Sequence, residues 1–151
     1  MISVEQVILD TNVLSELMRP QPEPSVMNWF AARPGTVFYT TAIVQAEIML
    51  GIAMLPAGKR RDALTTAAEE LFTDQFGGRC IPFEARCAAQ YAAIVSARRR
   101  AGFSITTEDA QIAAIALCCG YPLATRNTRD FMHVDGLSLY NPWLAGGNAV
   151  P

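Results

Sequence analysis

Apolar positions along the chain switch between two periods. The run Gln6-Val7-Ile8-Leu9 is short, apolar and β-branched, and it stops at Asp10, which reads as a strand. From 11 to 18 the apolar residues recur at helical spacing, until Pro20, Pro22 and Pro24 break the pattern. A short helix is predicted over 26–32 and a second strand over 36–40, around Val37-Phe38-Tyr39. Thr41 can cap a helix that runs to about residue 55, where Pro56-Ala57-Gly58 ends it. A long helical pattern covers 60–76 and stops at Gly77-Gly78. A third short strand is predicted at 80–83, a helix at 84–101 with Gly102 just past its end, and another helix at 106–119 ended by Gly120-Tyr121-Pro122. Residues 123–125 and 137–140 read as the fourth and fifth strands. The pattern gives one domain over 1–145 and a frayed tail at 146–151. Strands alternating with helices imply an α/β domain with a mainly parallel sheet of about five short strands. In such open sheets, function collects at the carboxyl ends of the strands.

Composition narrows the class. The chain has 151 residues, 51% hydrophobic and 17% charged, which excludes intrinsic disorder. Mean hydropathy is +0.19, which fits either a surface covered by a partner or a merely alanine-rich sequence. No run approaches the 18 apolar residues of a membrane span, and the N-terminus lacks a basic leader. The cysteines are Cys80, Cys87, Cys118 and Cys119, two of them adjacent in a helical pattern, and His133 is the single histidine. Neither a disulfide framework nor a zinc set follows from that spacing, and a reducing cytoplasm fits best. Net charge is −2 with a pI of about 5.3, so any nucleic-acid binding must come from a local patch.

The acidic residues carry the candidate chemistry. Asp10 stands between strand and helix, either as an N-cap or as a carboxylate projecting into the ligand crevice, and the two roles can coexist. Glu47 has Ile43, Val44, Leu50 and Gly51 one turn away and no Lys or Arg in reach, so it points toward the packed side unless its helix is apolar all round. Asp109 sits in a capping-box pattern with Thr106, yet shares a face with Ile112, Ala113 and Ala116; Glu108 is the better solvated acid. Asp130 follows the fourth strand, as a loop aspartate paired with Arg126 or Arg129 or as an inward-facing acid, with Asn127 an equally good inward polar group. If these acids converge on one rim, each close pair repels by about 4 kcal/mol at an effective dielectric of 20. Several such pairs rival the roughly 5–15 kcal/mol stability of a whole domain. Protons or divalent cations must then neutralise the cluster, and oxygen donors without His or Cys select Mg²⁺ or Mn²⁺. Such ions activate water and offset charge on a phosphodiester.

With these residues in place the chain resembles the PIN-domain ribonucleases, most closely the VapC/FitB-type toxins of bacterial toxin–antitoxin pairs. The likeness rests on VILDTNVLSEL (7–17), TAIVQAEIMLG (41–51), DAQIAAIA (109–116), LATRNTRDF (123–131) and the ending NPW (141–143). Any one motif is weak; four in order at this spacing are strong. The resemblance implies a PIN-like three-layer α/β/α fold, Mg²⁺-dependent endoribonuclease activity, a homodimer or larger hetero-oligomer, and a cognate antitoxin that blocks the site. It implies 5′-phosphate and 3′-hydroxyl product ends. It assigns Asp10 and Asp109 as the principal metal ligands, with Glu47 beside them. Asp130 or Asn127 fills the fourth position, since relatives carry the acid at one place or the other. Thr11, Asn12 and Thr125 become supporting groups.

Arg98, Arg99 and Arg100, with Arg126, are candidate RNA phosphate contacts; the triplet can also be a solvated helix end that suits the C-terminal dipole. Lys59-Arg60-Arg61 is a similar, weaker run. Met18, Trp29, Phe30, Met49 and Met54 are expected in the core or a protein interface, where they would suit an antitoxin helix laid into a groove. His133 is expected in a surface loop. A catalytically silent PIN-like binding module is the rival reading. A haloacid-dehalogenase-like phosphatase fits poorly, because Asn12 stands where that family needs a second Asp. A Rossmann binder lacks its glycine-rich turn.

Overall fold

The computed structural model describes residues 3–144, so the tail predicted at 146–151 lies outside the described residues. Five strands, β1 (Gln6–Leu9), β2 (Val37–Thr41), β3 (Cys80–Ile81), β4 (Leu123–Ala124) and β5 (Leu139–Tyr140), form one sheet in the order β3-β2-β1-β4-β5. All four pairings are parallel, for example Ile8 with Tyr39 on one side and with Leu123 on the other. Helices α1 (Thr11–Leu17), α2 (Pro24–Ala31), α3 (Ala42–Ala53), α4 (Lys59–Glu70), α5 (Ala88–Arg100) and α6 (Thr107–Cys119) flank it. The expected three-layer α/β/α architecture is the one observed.

β1 is central because it is the strand apolar on both faces: Val7, Ile8 and Leu9 are fully buried. The chain leaves β1 toward β2 on one side and reaches β4 on the other, so the order reverses at β1. That reversal opens a crevice beyond the carboxyl ends of β1 and β4, and Asp10 is the first residue to enter it. The backbone N–H of Asp10 donates to Ala124 O at 2.9 Å, which fixes the position of the crevice floor.

Local chemistry sets the element ends. Thr41 caps α3 by accepting from the Val44 N–H at 3.1 Å, and Thr106 caps α6 by accepting from the Asp109 N–H at 3.1 Å. α5 ends at Gly102, where φ is +85°, with the Gly102 N–H on Arg99 O and the Phe103 N–H on Arg98 O; this paired closure needs the left-handed backbone that glycine adopts without strain. The 84–101 pattern begins as a tighter turn at Ala85–Cys87 before α5 proper, and the 60–76 pattern ends in a wider turn at Leu71–Gln75. The third and fifth strands are two residues each, shorter than the four predicted; Pro82, without an N–H, follows the third directly.

α6 is buried nearly all round, with Ala110 and every residue from Ile112 to Ala116 at zero exposure. Trp29 and Phe30 join Phe38 and Tyr140 in an aromatic cluster with centroids 4.8–5.8 Å apart. Met49 and Met54, by contrast, stand in solvent at 56% and 76% exposure, with Leu50 at 62%. All four cysteines are free thiols, and His133 stacks on Phe103 in an exposed loop. Among the described residues no helix is long and apolar enough to cross a membrane.

Candidate active site at the reversal of the strand order

Asp10 is 4% exposed, and its Oδ2 accepts a hydrogen bond from Thr125 Oγ1 at 2.8 Å. It makes no side-chain cap on α1, so the N-cap reading gives way to the crevice reading. Burial pushes its carboxyl above the usual range. The Thr125 hydroxyl and the Thr11 backbone oppose the rise, and the charges of Glu47 and Asp130 add to it.

Thr125 is fully buried and joins three segments. Besides donating to Asp10, its Oγ1 accepts from the Asn127 N–H at 3.1 Å and from Asn12 Nδ2 at 3.4 Å. Asn12 closes the ring by accepting the Arg126 N–H on Oδ1 at 3.0 Å. Thr125, Asn12 and Asn127 therefore bind the loop after β4 to the start of α1. Thr11 donates Oγ1 to Glu47 Oε1 at 2.8 Å and ties α3 to the same corner.

Glu47 is half-buried, for a reason different from the one its neighbours suggest. The buried stripe of α3 is Val44, Ile48 and Ile52, while Leu50 and Gly51 face solvent. The helix is apolar all round, so the pattern alone cannot orient Glu47; the Thr11 hydroxyl does. Asp109 behaves as its spacing predicts: Ile112, Ala113 and Ala116 are buried, Glu108 is exposed, and Asp109 lies half-buried at the entrance of α6. Its carboxyl is pushed up to about 6, first by burial and then by the charge of Asp10, with Asp130 and Glu47 adding and Thr106 opposing.

Asp10, Glu47 and Asp109 line one cleft of about 550 Å³. Asn127 lines it as well. Asp130 does not; it is exposed on a single turn at Thr128–Phe131, though its charge bears on both Asp10 and Asp109. Arg126 borders the cleft with its guanidinium 5.0 Å over the Trp143 ring.

Arg98 requires a correction. It is 4% exposed, and its guanidinium donates to the carbonyls of Met132 and Ser104, so it is a buried strut and not a phosphate contact. The helical period carries position 98 inward on the Ile94 face, leaving only Arg99 and Arg100 exposed beyond it. Neither of those two lines the cleft.

Four residues to which the motif reading gave no role also line the cleft: Ser15, Glu16, Arg19 and Trp143. Glu16 is 6% exposed and paired with Arg19. The available signal was the Glu-x-x-Arg spacing at the end of α1, which puts the two side chains on one face.

The oxygen donors that line the cleft, carboxylate, hydroxyl and amide, with no His or Cys among them, suit a hard divalent cation. The raised Asp109 carboxyl reflects its burial first and the neighbouring acids second. Among the described residues no three His, Cys, Asp or Glu side chains close into a ready-made cage.

The PIN domain profile matches residues 7–137. The chain is 40% identical over 139 residues to the plasmid stability protein StbB of Pseudomonas syringae pv. tomato, covering 92% of this chain and 99% of that one. It is 39% identical to toxin FitB of Neisseria gonorrhoeae, covering 91% and 98%, and 36% identical to the VapC ribonuclease Y4jK of Sinorhizobium fredii, covering 91% and 97%. The crystal structure of FitAcB from Neisseria gonorrhoeae superposes with a TM-score of 0.82 at 37% identity, covering 92% of this chain and 99% of that one. With the profile spanning most of the chain and relatives 36–40% identical along nearly their whole length, the chain belongs to the PIN-domain family.

Proposed function

We propose that the chain is a Mg²⁺-dependent endoribonuclease that acts as the toxin of a toxin–antitoxin pair, with Mn²⁺ able to substitute. The observation that carries this reading is the meeting of Asp10, Glu47 and Asp109, from three separate elements, on one cleft at the reversal of the sheet. The ribonuclease name of Y4jK and the toxin name of FitB support it. Asp10 and Asp109 would hold the cation, with Glu47 beside them. When bound, the cation supplies a polarised water for in-line attack on phosphorus and offsets the charge that develops there. Thr125 holds Asp10 in orientation, and Thr11 does the same for Glu47. Asn127, at the cleft wall, orients water or substrate through its amide; Asp130 adds negative field from outside. Arg126, stacked on Trp143, offers a cation to an RNA phosphate.

A toxin is tolerated only beside a blocker. A groove of about 730 Å³, lined mainly by α1, α3 and α4, shares Thr11, Ser15, Arg19 and Glu47 with the cleft. An antitoxin segment seated there would obstruct the acids directly. A second copy of the chain is the other proposed partner, and the reducing cytoplasm, which suits four free thiols, is the proposed location.

The test is cleavage of a mixed RNA pool with Mg²⁺ or Mn²⁺ against EDTA, for wild type beside Asp10→Asn. Metal-dependent cleavage that the substitution abolishes is the expected result. Folded wild-type protein that neither cleaves nor binds the cation would favour the silent binding module, the reading that an amide at position 127 supports.

A further inference from the structure

Glu16 takes no part in the hydrolysis proposed above, yet it is buried in the wall of the same cleft. Its carboxylate accepts Arg19 Nη1 at 3.2 and 2.9 Å, and Oε2 also accepts the Glu23 N–H at 3.0 Å. One buried acid thus closes the turn between α1 and α2 and anchors a guanidinium at one of its nitrogens. The rest of that guanidinium is uncommitted: among the described residues Nε and Nη2 make no hydrogen bond, and the Arg19 side chain is 56% exposed.

Arg19 and Arg126 are the two cations that line the cleft, and they come from opposite halves of the chain. Four carboxylates line it with them: Asp10, Glu16, Glu47 and Asp109. A polyanion entering such a space needs fixed positive charge for the phosphates on either side of the one being cut. Arg126 supplies it at one place by stacking on Trp143. An arginine held at one nitrogen by a buried carboxylate is preorganised, so less side-chain freedom is lost when its free edge meets a phosphate.

We propose that Arg19 is a substrate-binding residue that grips a phosphate of single-stranded RNA neighbouring the scissile one, and that Glu16 is the positioning residue that aims it. The inference rests on the ribonuclease reading above and adds a second point of grip to it. Arg19 also borders the apolar groove, so a protein partner is the competing claim on it.

The experiment measures binding of a fluorescent single-stranded RNA oligonucleotide by anisotropy across a salt series with Mg²⁺, in an Asp10→Asn background that leaves the RNA intact. Arg19→Ala weakens binding about tenfold, the size of a charge-assisted hydrogen bond, and makes log Kd against log salt shallower by about 0.7, one phosphate contact on a single strand. Arg19→Lys keeps the slope. Glu16→Gln weakens binding alone but adds nothing to Arg19→Ala, because it acts through Arg19. The double variant Glu16→Gln/Arg19→Ala separates contact from stray field. If Arg19→Ala acted only by uncovering the Glu16 charge, the double variant returns to the parent affinity and slope, and the proposal is overturned. An unchanged slope in Arg19→Ala also overturns it and assigns Arg19 to the protein-binding groove. Absence of RNA binding both in the parent and in wild type held in EDTA overturns the ribonuclease reading together with this one, which distinguishes the two failures.

Discussion

Asp10 is a carboxylate held in a poor place for charge. It is buried, faces other acids, and is steadied by one hydroxyl. Asp10→Asn keeps an oxygen for the Thr125 hydroxyl and removes the charge. Cleavage is therefore expected to vanish while metal-free stability stays equal or rises, as read by urea melts in EDTA. A large loss of stability would make Asp10 a structural residue. Asp109 has a sign that can be read from pH. Its carboxyl is pushed up to about 6 in the folded chain, against about 4 when unfolded. Between those values the folded chain binds more protons than the unfolded one, so metal-free stability falls as pH rises from about 4 to about 6. Denaturation midpoints in EDTA should decline across that window and level above it, and Asp109→Asn should flatten the decline. A midpoint that rises steadily through the same range in both proteins would contradict the crowding of acids.

Elements place these side chains, and the end of α5 shows how one residue can be claimed by either surface or core. Three successive arginines look like a basic patch, but the helical turn sends Arg98 under the loops of Ser104 and Met132. Replacing it with Met leaves two carbonyls without their donor. A loss of about 1–3 kcal/mol is expected, the cost of one buried unpaired group, since the carbonyl of exposed Ser104 can turn to water. Arg99→Met and Arg100→Met should each fall within about 0.5 kcal/mol of wild type, as exposed substitutions do. Equal losses at all three positions in urea denaturation would contradict the strut. α3 teaches the complementary lesson. Its sequence is apolar on every side, so no periodicity distinguishes the face that carries Glu47, and only contact with Thr11 on α1 decides it.

At the scale of the whole molecule, function depends on strand order. Asp10, Glu47 and Asp109 lie far apart in sequence and meet because β1 is central, with β2 and α3 leading away on one side and α6 feeding β4 on the other. On the toxin reading proposed above, the hazard lies in one cleft. Induced expression of the wild type without a partner should arrest bacterial growth within a few generations, and Asp10→Asn at matched protein level should not. Equal arrest by both would remove the link between the cleft and toxicity. Uncovered Met49, Leu50 and Met54 match the chain's high hydropathy, since apolar surface of that kind is ordinarily covered by a partner.

The strands, the helices and their caps were legible because they depend on neighbours within a few residues. Thr41, Thr106 and Gly102 act on amides and carbonyls three to five positions away, and the apolar period of β1 and α6 follows directly from their order in the chain. Asp10 and Asp109 were legible from their places at the end of β1 and the start of α6, whereas Glu47 was legible only as an acid on an apolar helix, with its direction left open. Tertiary structure alone decided which groups those acids touch. Thr125 lies 115 residues from Asp10, and Thr11 lies 36 from Glu47; no local pattern encodes either hydrogen bond. It also decided that Arg98 turns inward, that Asn127 lines the cleft while Asp130 stands outside it, and that Glu16 and Arg19 share its wall. Burial and distance belong to the packed arrangement. A sequence specifies which side chains can hydrogen-bond or ionise, and the fold sets which of them lose water and what they meet instead.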